Sequence, residues 1–197
     1  MKIILFRILV FLWKISPNKF LLKKLVKKSN YLKSKLYKDL RFKGVFRMKI
    51  KNGQPVKLFN PGFTTIENEI FWNGIENGWE KESIKQWLYY AKNAEGIVDI
   101  GANSGIYSIL AHSVNPRANI LAFEPVERTF DLLLKNVDLN TPNNISTYQL
   151  AVSNKNGTSL FYDVLSESQY SASLERSMLS DSIEKVSYEV DVVKLVL

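Results

Sequence analysis

The residues whose types and spacing could do chemistry are Val98-Asp99-Ile100-Gly101-Ala102-Asn103-Ser104-Gly105, answered downstream by Ala122-Phe123-Glu124-Pro125. A short apolar run feeds a Gly-rich turn, a helix-like segment follows, and a second apolar run ends on an acid. That is the layout of a nucleotide-type site at the carboxyl ends of parallel strands. Gly101 and Gly105 let the backbone turn tightly and approach a ligand that any Cβ would obstruct. A helix starting near Ser104 points its free N–H groups at the same place. Glu124 follows Asp99 by 25 positions, the register in which an acid at the next strand tip takes a ribose diol.

Glycine spacing narrows the cofactor. A dinucleotide fingerprint reads G-x-G-x-x-G, but positions 101, 103, 105 and 106 are Gly, Asn, Gly and Ile. An NAD(P)-binding Rossmann protein is therefore the weaker alternative. The spacing is nearer the G-x-G-x-G turn of S-adenosylmethionine (SAM) methyltransferases, with Asn103 at the middle glycine. Each residue also has a plainer role open to it. Gly101 and Gly105 could serve the turn alone, and Asn103 its geometry. Asp99 could cap the turn that follows, and Glu124 could favour the next helix's N-terminus.

A longer set of segments is more specific. Val98–Ser108, Ala122–Pro125, Leu133-Leu-Lys-Asn-Val-Asp-Leu-Asn140 and Gln149-Leu-Ala-Val-Ser153 together resemble the FkbM family of SAM-dependent methyltransferases. Ile70-Phe-Trp-Asn-Gly74 and Trp79-Glu80 are similar to segments that precede the glycine turn in that family. The resemblance spans roughly residues 45–197 and implies a Rossmann-like class I methyltransferase sheet, an α/β fold. It implies SAM as cofactor, held by Asp99, Gly101, Ala102, Asn103, Gly105, Glu124, Pro125, Ala151 and Val152. The acceptor it implies is a hydroxyl on a glycan or related small metabolite. It also places Glu80 over the cofactor mouth. In the family a strand with an Asp-x-x-Lys-x-Asp-x-Glu-Gly-like segment comes next and carries catalysis. No such segment occurs here, so the expectation is a domain lacking its C-terminal part. Such a chain is a truncated methyltransferase whose Val98–Ile100 strand is an open edge and whose own activity is in question. No residue of the chain stands out as the general base.

Around that site, the elements follow from periodicity and turn chemistry. Phe46–Lys51 alternates, and Asn52-Gly53 before Val56–Phe59 reads as a hairpin. Helix-like stretches run from about Thr65 to Gly74 and from near Glu82 through Ile84, Trp87, Leu88 and Ala91. Ile145–Val152 reads as one strand, the third of the sheet, bringing Ala151-Val152 beside the other strand tips. Another strand covers Thr158–Tyr162, a Ser-rich loop runs from Ser166 to Ser182, and Tyr188–Leu197 alternates weakly. Glu124, at an exposed strand tip, is expected to matter little for stability.

Composition splits the chain in two. With 46% hydrophobic and 12% aromatic residues, a 197-residue chain can bury a real core. The absence of cysteine excludes disulfides and thiolate metal sites and suits a reducing cytoplasm. One histidine, His112, leaves no His-based metal cluster and reads as a packing or surface residue. Residues 1–57 carry 17 Lys or Arg against Asp39 alone, a net +16, while the rest carries 10 basic and 18 acidic residues, a net −8. The basicity thus marks an N-terminal arm, and with the resemblance the expected division is a basic helical arm, residues 1–44, and a SAM-binding domain, residues 45–197.

The arm opens with Ile3–Trp13, an apolar run broken by Arg7 and too short for a spanning helix, which needs about 20 residues. Arg7 and Lys14 share a helical face, as in a helix lying in a membrane interface. Ser16-Pro17 reads as a helix start. Beyond it Leu21, Leu25, Leu32, Leu36 and Leu40 form a stripe among lysines. Two readings of the arm stay open with equal weight: packing on the body, and docking on an anionic membrane surface. The second would make a cytoplasmic protein peripheral at the membrane. Nucleic acid is the weaker partner, because the arm offers no regular aromatic platform for bases.

Overall fold

The computed structural model describes residues 2–16, 18–27, 40–164, 172–173 and 185–195. At its centre are three parallel strands, β3 (Gly96–Ile100), β4 (Asn119–Phe123) and β5 (Ile145–Tyr148), in the order β3-β4-β5. Their crossovers are helices α5 (Ile106–Val114) and α6 (Glu127–Asn140), which lie against each other. Parallel neighbours need such a crossover, so this is the Rossmann-like α/β unit expected of the class I methyltransferase sheet. In register Asp99 pairs with Ala122 and Ile100 with Phe123. The glycine turn and Glu124 therefore emerge side by side. β3 has no partner on its outer side among the described residues, and Ile100 is exposed there.

The hairpin of β1 (Gly44–Met48) and β2 (Val56–Asn60) is antiparallel, with Met48 opposite Val56. Its connection is longer than the expected two-residue turn. Asn52 takes the left-handed conformation (φ 60°), and the Gly53 N–H closes a local turn on the Ile50 carbonyl. The Gln54 N–H then donates to the Ser113 carbonyl, which fastens the loop to the end of α5. Two helices, α3 (Thr65–Asn73) and α4 (Lys81–Ala91), follow the hairpin where their apolar spacing puts them.

The expected third strand proves to be two. β5 stops at Tyr148, whose carbonyl accepts the Glu124 N–H. After Gln149-Leu150, Ala151–Ser153 forms β6 in a second sheet, ordered β6-β9-β7-β8, with β7 Gly157–Val164, β8 Ala172–Ser173 and β9 Lys185–Lys194. β6 runs parallel to β9, with Ala151 opposite Val192. A continuous alternation cannot show where a chain changes partner, because both halves bury alternate side chains. Ala172-Ser173, inside the expected loop, is a short strand on β7; the rest of Ser166–Ser182 lies outside the described residues.

In the arm, α1 is Lys2–Ile15 and α2 is Lys19–Lys27. Trp13 is buried, lies against Trp72 with ring centroids 5.1 Å apart, and donates its indole N–H to the Arg41 carbonyl. Val26 is buried too, and both belong to the cluster that includes Phe42, Phe71, Trp72, Ile106 and Ile109. The stripe expected on α2 is rotated. Leu21 is exposed while Leu22 and Val26 turn inward. The side chains of Arg7 and Leu25, and Leu32 and Leu36 altogether, lie outside the described residues. The cap of α2 is Asn18, whose Oδ1 accepts the Leu21 N–H, while the Ser16 hydroxyl accepts the Asn18 N–H.

Candidate functional site

The site begins at the end of β3. Gly101 (φ 72°), Asn103 (φ 52°) and Gly105 (φ 81°) all occupy the left-handed region. That backbone is costly for most side chains but tolerated by Asn. The Gly101 and Ala102 N–H groups both donate to the Phe123 carbonyl at 2.9 Å, so the tip of β4 clamps the turn. The Asn103 side chain accepts the Ser104 N–H at 2.7 Å.

The two glycines act differently. A Cβ at Gly101 would meet no atom within 4 Å, so the space before it is open to a ligand. At Gly105 it would come 2.5 Å from Leu133 Cδ1. Leu133 is completely buried on α6. Gly105 is therefore needed for helix packing as well as for its backbone conformation, a role that the sequence alone did not show.

Glu124 closes the turn from β4. It is 6% exposed, so the expectation of an exposed strand tip is corrected. The clamp of the turn and the start of α6 enclose it. Its Oε2 accepts the Asn103 N–H at 2.9 Å and its Oε1 the Val126 N–H at 3.0 Å. Burial raises its carboxyl above the ordinary carboxylate range, against the pull of those two N–H groups and of Arg128. A carboxylate oxygen has two lone pairs, so each still has capacity to accept from a hydroxyl.

Asp99 faces the helix. Its Oδ2 accepts the Ser108 hydroxyl at 2.6 Å, and the Ser108 N–H also bonds to it. It thereby caps α5, which has no side-chain cap from Gly105. Burial raises its carboxyl despite those contacts. Ala102 and Pro125 are buried beside the turn and the α6 start. Ala151 packs with Val126, Val190 and Val192, and the half-buried Val152 follows it on β6. These two residues thus stand on the second sheet, with Ala151 against Val126, two residues past Glu124.

Asn136 and Arg128 support the turn and its surroundings without having been given a role in the sequence reading. Asn136 on α6 donates to the Ser104 carbonyl at 2.8 Å and accepts the Phe59 N–H at 2.7 Å, tying turn, helix and hairpin together. Its signal was available: a polar residue between Leu133 and Val137 on an apolar helix stripe. Arg128 donates to both oxygens of Asp163 at 2.9 and 2.7 Å, joining α6 to β7. Glu80 accepts the Tyr107 hydroxyl at 2.5 Å. Burial and that carboxylate push the phenol upward from its ordinary value. His112 sits half-buried, its Nδ1 2.5 Å from Asn144 Oδ1. Among the described residues no cluster of three or more His, Cys, Asp or Glu could hold a metal ion.

No protein-family model matches the chain. Methyltransferase sdnD of Sordaria araneosa is 40% identical over 63 residues, which cover 32% of this chain and 24% of that protein. The chain thus matches about a quarter of that relative's length. Among solved structures, P. horikoshii TYW2 in complex with MeSAdo overlaps with a TM-score of 0.37 at 23% identity, covering 56% of this chain and 37% of that one. The SAM-dependent methyltransferase from Agrobacterium tumefaciens overlaps with a TM-score of 0.38 at 9% identity, covering 59% and 42%.

Proposed function

We propose that the Gly101–Gly105 turn binds S-adenosylmethionine and that the chain serves a SAM-dependent methyltransferase of the FkbM type. The acceptor in this reading is a hydroxyl on a glycan or related metabolite. The observation that carries it is the bond from the Asn103 N–H to Glu124. It locks an open glycine turn to a buried carboxylate at the adjacent strand tip, with acceptor capacity left for a ribose. The partial similarity to a methyltransferase supports the reaction class, and the glycine spacing supports SAM over a dinucleotide.

Bound SAM supplies a sulfonium methyl that an acceptor oxygen can take without prior activation. The chain's part is to hold and orient. Glu124 accepts from the ribose hydroxyls, and Gly101 leaves room for the backbone to be approached. Asp99 keeps α5 in register through Ser108, so that the turn does not loosen. A hydroxyl acceptor must also lose its proton to a base.

Calorimetric titration of SAM and of NAD into the full chain tests the reading. One-to-one saturable binding of SAM with no heat from NAD is expected. NAD binding in the absence of SAM binding would overturn it.

A further inference from the structure

Trp13 fixes how α1 faces the protein, and that orientation leaves an apolar stripe with nothing on it. Ile8, Phe11, Leu12 and Ile15 fall at i, i+3, i+4 and i+7, one side of a helix. They are 48%, 60%, 38% and 60% exposed. The opposite side carries Leu9, Val10 and buried Trp13, packed into the core. The next helix continues the pattern, with Phe20 and Leu21 at 52% and 56% exposure. Single exposed apolar residues need no explanation, but a contiguous helical face of them marks a contact surface.

Charge selects the occupant. Residues 1–27 contain seven Lys or Arg and no acid. Lys14 and Lys24 are exposed beside the stripe. A second copy docked arm to arm would bring Lys14 and Lys24 against like charges with no acid in the arm to offset them. An anionic lipid surface instead satisfies both properties together, since headgroups attract the lysines and the acyl boundary takes the apolar face. No helix among the described residues is long and apolar enough to cross a membrane, so the stripe can lie in the interface but not span it.

We infer that the outer face of α1 and the first turn of α2 dock on an anionic phospholipid bilayer, with Ile8, Phe11, Leu12, Ile15, Phe20 and Leu21 inserted and Lys14 and Lys24 at headgroup level. The body is thereby held at the surface by a helix whose inner face belongs to its own core. The inference is independent of the SAM reading, because loss of cofactor binding would leave the stripe unchanged.

Co-sedimentation of the full chain with vesicles tests it, using phosphatidylcholine with phosphatidylserine and phosphatidylcholine alone. Binding to the anionic vesicles is expected to exceed binding to neutral ones at least tenfold at low salt and to weaken as salt is raised. Phe11→Glu/Ile15→Glu should lower it at least tenfold with near-ultraviolet dichroism unchanged. Lys14→Glu/Lys24→Glu, which leaves the apolar face intact, should lower it several-fold and provides the test if the first pair disturbs folding. The inference is overturned if the wild type stays in the supernatant at low salt, if neutral vesicles bind it equally, or if both variants bind as it does. Self-association that Phe11→Glu/Ile15→Glu abolishes, without vesicle binding, would assign the face to a second copy and also overturn it.

Discussion

Asp99 and Glu124 are carboxylates held out of water, whereas Phe11, Ile15, Phe20 and Leu21 are large apolar groups left in it. Each region inverts the ordinary rule of burial. At the turn, burial is tolerated because backbone N–H groups and a serine hydroxyl meet the carboxylates, and open space at Gly101 leaves one side for a ligand. On α1 the exposure follows from Trp13, which draws one face of the helix into the core and so turns the other outward. A helix that packs on the body and a helix that docks on a membrane are therefore not competing readings of the arm. Its two faces can do both.

The strongest challenge to that comparison is at Trp13. Trp13→Ala should lower stability by about 3–5 kcal/mol, the usual loss for a buried aromatic, while Phe11→Ala should stay within about 0.5 kcal/mol. Urea denaturation of both variants checks the pair. Equal small losses would detach the arm from the core.

Glu124→Ala comes next. It strands the Asn103 and Val126 N–H groups and should lower stability by roughly 1–3 kcal/mol, unlike a change at an exposed strand tip. It should also weaken SAM by roughly one to two orders of magnitude, since hydrogen bonds to a charged group are worth about 1.5–3 kcal/mol. Glu124→Gln keeps one acceptor and sets an amide N–H against a backbone N–H, so it should be nearly as harmful. Thermal denaturation and calorimetry read the two effects separately. A folded Glu124→Ala protein with unchanged SAM affinity would remove the residue from the site.

The two glycines sharpen the picture of the turn. Gly105→Ala should cost about 1–3 kcal/mol in stability, because its Cβ drives into Leu133. Gly101→Ala meets nothing and should cost only the left-handed strain, about 1–2 kcal/mol, but it fills the ligand side and should lose more SAM affinity than stability. The reverse ranking in denaturation and titration would reassign the ligand side to Gly105.

The smallest effect is in pH. Glu124 has a folded pKa raised above its unfolded value, so its stability contribution is full below the unfolded carboxylate range and is lost as pH rises through the folded pKa. The Tm of the wild type relative to Glu124→Gln should therefore increase as pH falls from neutral through that raised pKa. SAM affinity should fall over the same interval, since a protonated Glu124 accepts less well from a diol. A SAM affinity flat across that interval would sever the carboxylate's charge from binding.

Much of the site was legible because its signals are local. Glycine spacing, an Asn at a left-handed position, two apolar runs and the acid after the second depend on neighbours within a few residues. Those residues do come together: Asn103 meets Glu124, and β3 pairs with β4 in the register the spacing requires. The roles within the turn were less legible. Gly105 and Glu124 take theirs from Leu133 and Val126 on the next helix and its approach, and Asn136 reaches the turn from there as well.

By itself the sequence determined the parallel βα units, the turn that joins them, and the concentration of positive charge in the first 57 residues. These follow from backbone preferences and composition, which need no partner. Only the tertiary structure decided that Ala151 leaves the β3–β5 sheet for β9, that Leu21 faces out while Val26 faces in, and that Glu124 is enclosed. In each case an alternating or amphipathic pattern was compatible with more than one neighbour. The choice fell to contacts between residues far apart in the chain: Trp13 on Trp72, Ala151 beside Val192, and the Phe123 carbonyl over the turn.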